Sequence, residues 1–174
     1  MKFVMMVLVL VGMAGAQSEQ RPVIAEARGY WPVANSAVRP DKTRDFKAIV
    51  DATRAAEKPE DAVPAISEAA ALMNQLAATG VPAGHRKIAI IFHGPATYGL
   101  LQEESYKEKY GVANPNLKLM HELRAAGVEL LVCSQFLHFR QIDPAKLLKD
   151  VQLATSAMLV SVTYQNRGYA LLPF

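Results

Sequence analysis

Two short, largely apolar runs constrain the fold of this chain more than any other feature. They extend over 87–92 and 128–133, and each is too short for a typical buried helix. Such runs are typical of strands that are buried on both faces of a parallel sheet. Further strands are predicted over 46–51, 151–154 and 168–172. The sequence therefore predicts a mostly parallel sheet of about five strands.

The segments between these strands have the apolar spacing of helices. Helices are predicted over 64–79, 96–109, 114–126 and 143–148, whereas residues 156–166 fit either a helix or a strand. Strands that alternate with helices indicate an α/β fold. We therefore expect a three-layer sandwich, with helices on both faces of the sheet.

The N-terminus has the three parts of a signal peptide. Lys2 precedes an apolar run over 3–13, and Ala14-Gly15-Ala16 provides a cleavage site. The run is well short of the roughly 20 apolar residues that a membrane span needs. We therefore expect cleavage after Ala16, export to the periplasm and no membrane contact afterwards.

Three regions follow from this division of the chain. Residues 1–16 are the predicted signal peptide. Residues 17–44 contain three prolines and little periodicity, which predicts an extended arm without activity of its own. Tyr30-Trp31-Pro32 is the expected apolar anchor of this arm. The α/β domain is predicted over 45–174.

Charge and cysteine usage exclude several classes of function. The formal net charge is only +3, and the basic residues are scattered, so no nucleic-acid partner is expected. The single cysteine cannot form an intramolecular disulfide. Neither a metal-ligand spacing such as CxxC or HxxxH nor a glycine-rich phosphate loop occurs in the sequence. We therefore predict no metal site and no cofactor.

Three chemically versatile side chains stand where predicted strands end. They are Asp51, His93 and Cys133. The carboxyl ends of parallel strands meet at one edge of a sheet, and ligands of such sheets bind outside that edge. The sequence therefore predicts a site at this edge.

Several stretches in this order and spacing resemble the DsrE/DsrF-like sulfur-relay proteins, in particular their exported branch. They extend over 92–95, 106–116, 127–135 and 164–169. The resemblance implies a flavodoxin-like three-layer α/β fold that assembles as a homo-trimer or homo-hexamer. It also implies that sulfur is carried as a persulfide on a cysteine after a central strand, which is the position of Cys133.

Sulfur relay needs a thiolate that attacks a sulfane sulfur and then passes it on. Cys133 is the candidate catalytic residue, and His93 and His138 are candidate bases near it. The alternatives are that His93 is a structural turn residue bonded to the backbone and that His138 is a surface residue. Gln135 could donate a hydrogen bond to a persulfide, and Asp51 either supports the site or caps the loop after its strand. The expected partners are sulfur donors and acceptors, either proteins or small sulfur compounds.

Two other interpretations stay open. Free cysteines are often small buried apolar residues, and the chain would then be a non-catalytic oligomeric module that binds a small ligand or a protein. A thiol-dependent enzyme, such as a peroxide or thiosulfate reductase, would need a second redox group that the sequence does not offer. Carrier and binding module differ in whether Cys133 lies open in a polar cleft or is enclosed by aliphatic side chains.

Overall fold

The structure is a computed structural model that describes residues 18–174. The predicted signal peptide lies outside these residues. No helix among the described residues is long and apolar enough to cross a membrane. The strands are β1 Phe46–Ala52, β2 Arg86–Phe92, β3 Glu129–Cys133, β4 Gln152–Ala154 and β5 Ala170–Pro173. The α-helices are α1 Pro64–Ala78, α2 Glu103–Tyr110, α3 Leu117–Ala125, α4 Ser134–Arg140 and α5 Ala157–Asn166.

All five strands are parallel, in the order β4-β3-β2-β1-β5. The first three crossovers step in one direction, and the last one returns across the sheet to place β5 beside β1. In the flavodoxin order the second strand lies at that edge, whereas here the fifth strand does. The predicted α/β fold is confirmed, and the sheet is entirely rather than mostly parallel.

Alternate residues of each central strand face opposite layers, because side chains alternate along a strand. Val50, Ile90 and Val132 face the larger layer, which contains α1 and α3. Helix α1 is buried there through a stripe that includes Ile66 and Met73, both less than 2% exposed. This layer forms the main core.

The opposite layer is much smaller. It contains helix α5, which lies across β1 and β2. The buried residues of this layer are Ile49, Ala89, Ile91, Leu131, Cys133, Ala157 and Tyr164. The predicted strand-end cysteine therefore faces the thin side of the sandwich.

The single helix predicted over 96–109 is wrong. Gly94–Leu100 forms a 3₁₀-helix, and α2 begins only at Glu103. The amide Nδ2 of Asn114 donates hydrogen bonds to the carbonyls of Gly99 and Leu101, at 3.0 and 2.7 Å. Those carbonyls are thus withdrawn from a continuous α-helix, which would have used them internally.

Two other helix predictions also differ from the structure, and one helix of the structure was not predicted. The helix predicted from Asn114 begins at Leu117 instead, because the Asn114 side chain accepts from the backbone N–H of Asn116. The predicted helix over 143–148 is reduced to a 3₁₀ turn over Pro144–Lys146. Helix α4 follows Cys133 directly and was not predicted.

The ambiguous segment 156–166 is resolved as helix α5. Its first turn is capped by Ser156, whose Oγ accepts from the backbone N–H of Leu159 at 3.2 Å. Serine is a favoured residue at this position because its short side chain satisfies a free helical N–H. The segment is therefore a helix despite the strand preference of Val160, Val162 and Thr163.

The N-terminal arm is tied to the domain through Ile24 rather than through the expected Tyr30-Trp31-Pro32 anchor. Trp31 is 60% exposed, whereas Ile24 is fully buried. The side chain of Asn74 in α1 accepts from the backbone N–H groups of Val23 and Ile24 and donates to the Ile24 carbonyl. A buried polar group needs such partners, so Asn74 fixes the arm in place.

Candidate functional site

The register of the three central strands brings the predicted strand-end residues together. Asp51 pairs with Ile91, and Ile91 pairs with Leu131. The last pair of β2 and β3 is Phe92 with Val132. His93 and Cys133 come next on the two chains, so they lie at neighbouring strand ends. Two-residue periodicity then puts all three predicted side chains on the α5 side of the sheet.

These side chains line one cleft of about 800 Å³. Its walls come from the ends of β1, β2 and β3, from α4, from the first half of α5 and from β5. The lining residues are Asp51, His93, Cys133, Gln135, Phe136, His138, Phe139, Ser156, Ala157, Met158, Ser161, Val162 and Leu171. The structure therefore gathers all five candidate site residues into one place.

The topology explains why a cleft opens at this point. The crossover after β3 passes over the α1 layer, where Leu137 of α4 is buried, and the crossover after β4 passes over the other layer through α5. Neighbouring strands whose following segments diverge to opposite faces leave a crevice outside their carboxyl ends. Cys133 ends one of these two strands.

His93 is held by two neighbours from β1 and the loop after it. Its Nε2 lies 2.6 Å from Asp51 Oδ1 and 3.1 Å from Thr53 Oγ1. A carboxylate only accepts hydrogen bonds, so Nε2 carries the proton that Asp51 receives. In the neutral ring Nδ1 is then the nitrogen with the free lone pair.

Cys133 is 6% exposed and packs among Ile91 and Leu131, yet it also lines the cleft. Its surroundings thus combine the two expected environments, an open polar cleft and an aliphatic enclosure. Aliphatic side chains enclose the thiol on the sheet side, whereas Asp51 and His93 contribute polar groups to the cleft.

Gln135 and His138 belong to α4. The Gln135 amide lies 3.4 Å from the carbonyl of Thr155, so this side chain connects α4 to the segment before α5. His138 is exposed and also borders a second cavity beside α4. It is part of a helix, whereas His93 follows the strand β2 directly.

The sequence did not identify the contribution of α5 to the site. Ser156, Met158, Ser161 and Val162 line the cleft from this segment. The available signal was composition, because Ala157–Asn166 contains no charged residue. Among residues 18–174, no group of three His, Cys, Asp or Glu side chains is arranged to hold a metal ion.

The sequence profile of the DsrE/DsrF-like family matches residues 47–174, which is more than half of the chain. The chain belongs to the DsrE/DsrF-like family. This is a family of the sulfur-relay type, and the resemblance found in the sequence is thereby confirmed. No curated protein matches the chain.

Two solved structures share the fold of this family member. A protein of unknown function, MTH1491 from Methanobacterium thermoautotrophicum, superposes with a TM-score of 0.54 at 18% identity, covering 75% of this chain and 100% of its own. The YchN protein from E. coli superposes with a TM-score of 0.53 at 16% identity, covering 74% and 98%. At such low identity these likenesses establish the fold and leave the chemistry to the site itself.

Proposed function

We propose that this protein is a sulfur carrier that holds sulfane sulfur as a persulfide on Cys133. One observation carries the proposal. The cysteine shares a cleft at the carboxyl edge of the sheet with an imidazole that is already hydrogen-bonded to a carboxylate, His93 and Asp51. Membership of a sulfur-relay-type family supports the same chemistry.

The proposed step conserves atoms and charge. The Cys133 thiolate attacks the outer sulfur of a donor R–S–S–H, a new S–S bond forms at Sγ, and the S–S bond of the donor breaks. The donor leaves as R–S⁻, and Cys133 retains the –S–S–H group. No external oxidant is needed, since the sulfane sulfur moves with its oxidation state unchanged, and transfer to an acceptor repeats the step in reverse.

His93 has the role of proton acceptor for the Cys133 thiol in this proposal. Asp51 and Thr53 occupy its Nε2 and hold the ring, which leaves Nδ1 to receive the proton. A base that is oriented by a third group is the common arrangement for an activated nucleophile. Gln135 and His138, on the α4 wall, are the proposed donors of hydrogen bonds to the persulfide.

Intact mass after incubation with a persulfide donor tests the proposal. The chain should gain the mass of one sulfur atom, and a reductant should remove it. Cys133→Ser should gain nothing while keeping its folded circular-dichroism spectrum. Failure of the folded wild-type chain to gain sulfur from any donor would contradict the carrier function.

The low exposure of Cys133 favours a second candidate, a non-catalytic binding module. A thiol that is 6% exposed beside largely apolar walls also fits a cleft that holds a small ligand or a protein segment without covalent chemistry. Iodoacetamide separates the two candidates. The carrier is alkylated while folded, whereas the module is alkylated only after unfolding.

Assembly into a homo-trimer or homo-hexamer is part of the proposal. Leu153 of the edge strand β4 and Leu159 of α5 are large apolar side chains that are 58% and 59% exposed and lie outside the Cys133 cleft. Exposed apolar groups of this kind mark interaction surfaces, and a contact over them would leave the cleft open. Light scattering should give a multiple of the chain mass, and Leu159→Lys should lower it. A monomer at micromolar concentration would contradict the assembly.

Export to the periplasm is proposed from the N-terminal sequence. The mature chain should begin at Gln17, because Ala14-Gly15-Ala16 fits the cleavage rule. N-terminal sequencing of protein from the periplasmic fraction checks this. Full-length protein recovered from membranes would exclude it.

A further inference from the structure

We infer that the Cys133 cleft selects persulfides carried on an apolar organic group over charged sulfur donors. This inference rests on the proposed function and names the substrate class of the same site. It follows from the charge, the wall chemistry and the volume of the cleft.

The cleft offers little to a donor with negative charge. Among the described residues, none of the side chains that line it belongs to Lys or Arg. The nearby guanidinium of Arg140 lies against the ring of Phe136 and does not line the cleft. When the thiol proton passes to Nδ1 of His93, the positive ring offsets the thiolate, and the carboxylate of Asp51 leaves these three groups with a net negative charge that repels an anion. Moving an anion out of water costs its hydration free energy, and without a paired cation the cleft does not offset that cost. Thiosulfate would therefore enter poorly.

The walls offer an apolar group much more. Phe139, Met158 and Val162 are 80%, 79% and 56% exposed at the cleft. Leu171 continues this surface from β5. A hydrophobic carrier group that covers these side chains removes apolar surface from water on both partners. The exposed apolar wall therefore complements an uncharged organic group.

The volume agrees with an organic carrier. The cleft measures about 800 Å³, within the range of pockets that hold drug-sized ligands. A sulfur atom alone would leave most of this space filled by water. The thiol lies at the sheet edge of the cleft, so an organic group has room along α5 while its outer sulfur reaches Cys133.

A comparison of three donors tests the selectivity. Propyl persulfide has an apolar carrier, glutathione persulfide has a charged one, and thiosulfate is inorganic. The rate of sulfur loading of Cys133 is measured by intact mass for each donor and divided by the rate of free cysteine with the same donor. The normalised rate for propyl persulfide should be at least roughly tenfold higher than the rate for glutathione persulfide or thiosulfate, which is the scale of discrimination by hydrophobic pockets.

A matched pair of variants locates the selectivity. Val162→Lys puts a cation into the cleft wall and should lower the ratio of propyl persulfide to thiosulfate loading about fivefold or more, the scale of one charge in a partly exposed site. Thr163→Lys puts the same charge on the exposed side of α5, outside the cleft, and should leave the ratio unchanged. Met158→Lys repeats the test if Val162→Lys fails to fold, and light scattering verifies equal assembly of each variant.

The outcomes are distinguishable. Equal normalised rates for all donors, faster loading from thiosulfate, or a ratio that Val162→Lys and Met158→Lys leave unchanged would overturn the selectivity and leave the carrier function standing. No loading of folded wild-type protein by any donor would overturn both.

Discussion

On one face of the sheet, α1 and α3 enclose a continuous aliphatic core, whereas on the other face α5 lies across β1 and β2 and leaves much of its own surface exposed. Ile66 and Leu123 are fully buried in the first layer. Met158 and Val162 of α5 are more than half exposed in the second. The first face supplies stability, and the second supplies the site.

The size of α5 relative to the sheet explains why the second face is less well covered. Helix α5 has ten residues, so it is about 15 Å long, and a helix with its side chains is only about 10 Å wide. A sheet of five strands at about 4.8 Å spacing is wider than that. Helix α5 alone therefore leaves part of this face uncovered, and the crevice at the strand ends beside Cys133 stays open.

Truncation on the packed face should have the largest effect. Ile66→Ala removes a fully buried side chain of α1 and should lower the free energy of unfolding by about 2–5 kcal/mol. Met158→Ala on the other face should change it by less than about 0.5 kcal/mol, since surface substitutions have small effects. Urea denaturation measures both. Similar losses for the two variants would remove the proposed contrast between the faces.

The second prediction concerns the arm, which is attached to the packed face. Asn74→Ala leaves the backbone N–H groups of Val23 and Ile24 without their acceptor. The free energy of unfolding should fall by about 2–3 kcal/mol, because unsatisfied buried groups are costly. In limited proteolysis of this variant, the arm should be cleaved earlier than the α/β domain.

Gln75→Ala is the matched control for the arm. Gln75 follows Asn74 on the same helix, and its side chain is exposed. This variant should keep both stability and protease resistance. An arm that stays protected in Asn74→Ala would mean that its other contacts hold it, namely the buried Ile24 and the ion pairs Arg28–Glu68 and Glu26–Lys118.

The packed face was predictable from the sequence, and the boundaries of its helices were less so. Continuous apolar runs located β2 and β3, which are buried on both faces, and apolar residues at helical spacing located α1, which is buried on one face. The break at Leu101 was not visible, since it depends on a side chain thirteen residues later, Asn114. Long-range hydrogen bonds of this kind have no local signature.

The third prediction concerns the open face. Asp51→Asn keeps an acceptor for His93 and removes the charge that stabilises the protonated ring. Alkylation of folded Cys133 by iodoacetamide should slow roughly tenfold, which corresponds to about 1.4 kcal/mol of activation free energy. The free energy of unfolding should change by less than about 1 kcal/mol. Intact mass against time measures the rate.

The chain contains its own control for this experiment. Asp45 and His85 form a similar pair, with 2.7 Å between Oδ1 and Nδ1, at the other end of β1 and outside the cleft. Asp45→Asn should leave the alkylation rate unchanged. If both variants slow alkylation equally, His93 is not coupled to the thiol.

The strand-end half of the site was predictable, and the helical half was not. Parallel topology alone places Asp51, His93 and Cys133 at one edge. Which residues of 156–166 face the thiol depends on whether that segment is a helix, and its β-branched residues left this open. The Ser156 cap decides it locally, but a single serine does not distinguish a helix start from a loop.

The smallest predicted effect concerns the closed end of the thin layer, where Tyr164 of α5 donates a hydrogen bond to Glu129 at 2.8 Å. Tyr164→Phe should cost about 1 kcal/mol at neutral pH, the usual size of such a bond. Burial, and then the bond to Glu129, raise the pKa of Tyr164 above its ordinary value. The folded state therefore resists ionisation, and stability is lost as the pH rises above about 10, where the unfolded tyrosine ionises.

The variant lacks this ionising group, so its deficit relative to the wild type should shrink as the pH rises from neutral to above about 10. Urea denaturation at both pH values measures it. Burial also raises the pKa of Tyr169, but Tyr169 is present in both proteins, and the difference between them isolates Tyr164. Glu129→Gln keeps an acceptor and removes the charge, so it should weaken the pH dependence without removing it. A deficit that is constant with pH would mean that the Tyr164 hydroxyl ionises as readily in the folded state as in the unfolded state, so that neither burial nor the hydrogen bond to Glu129 protects it.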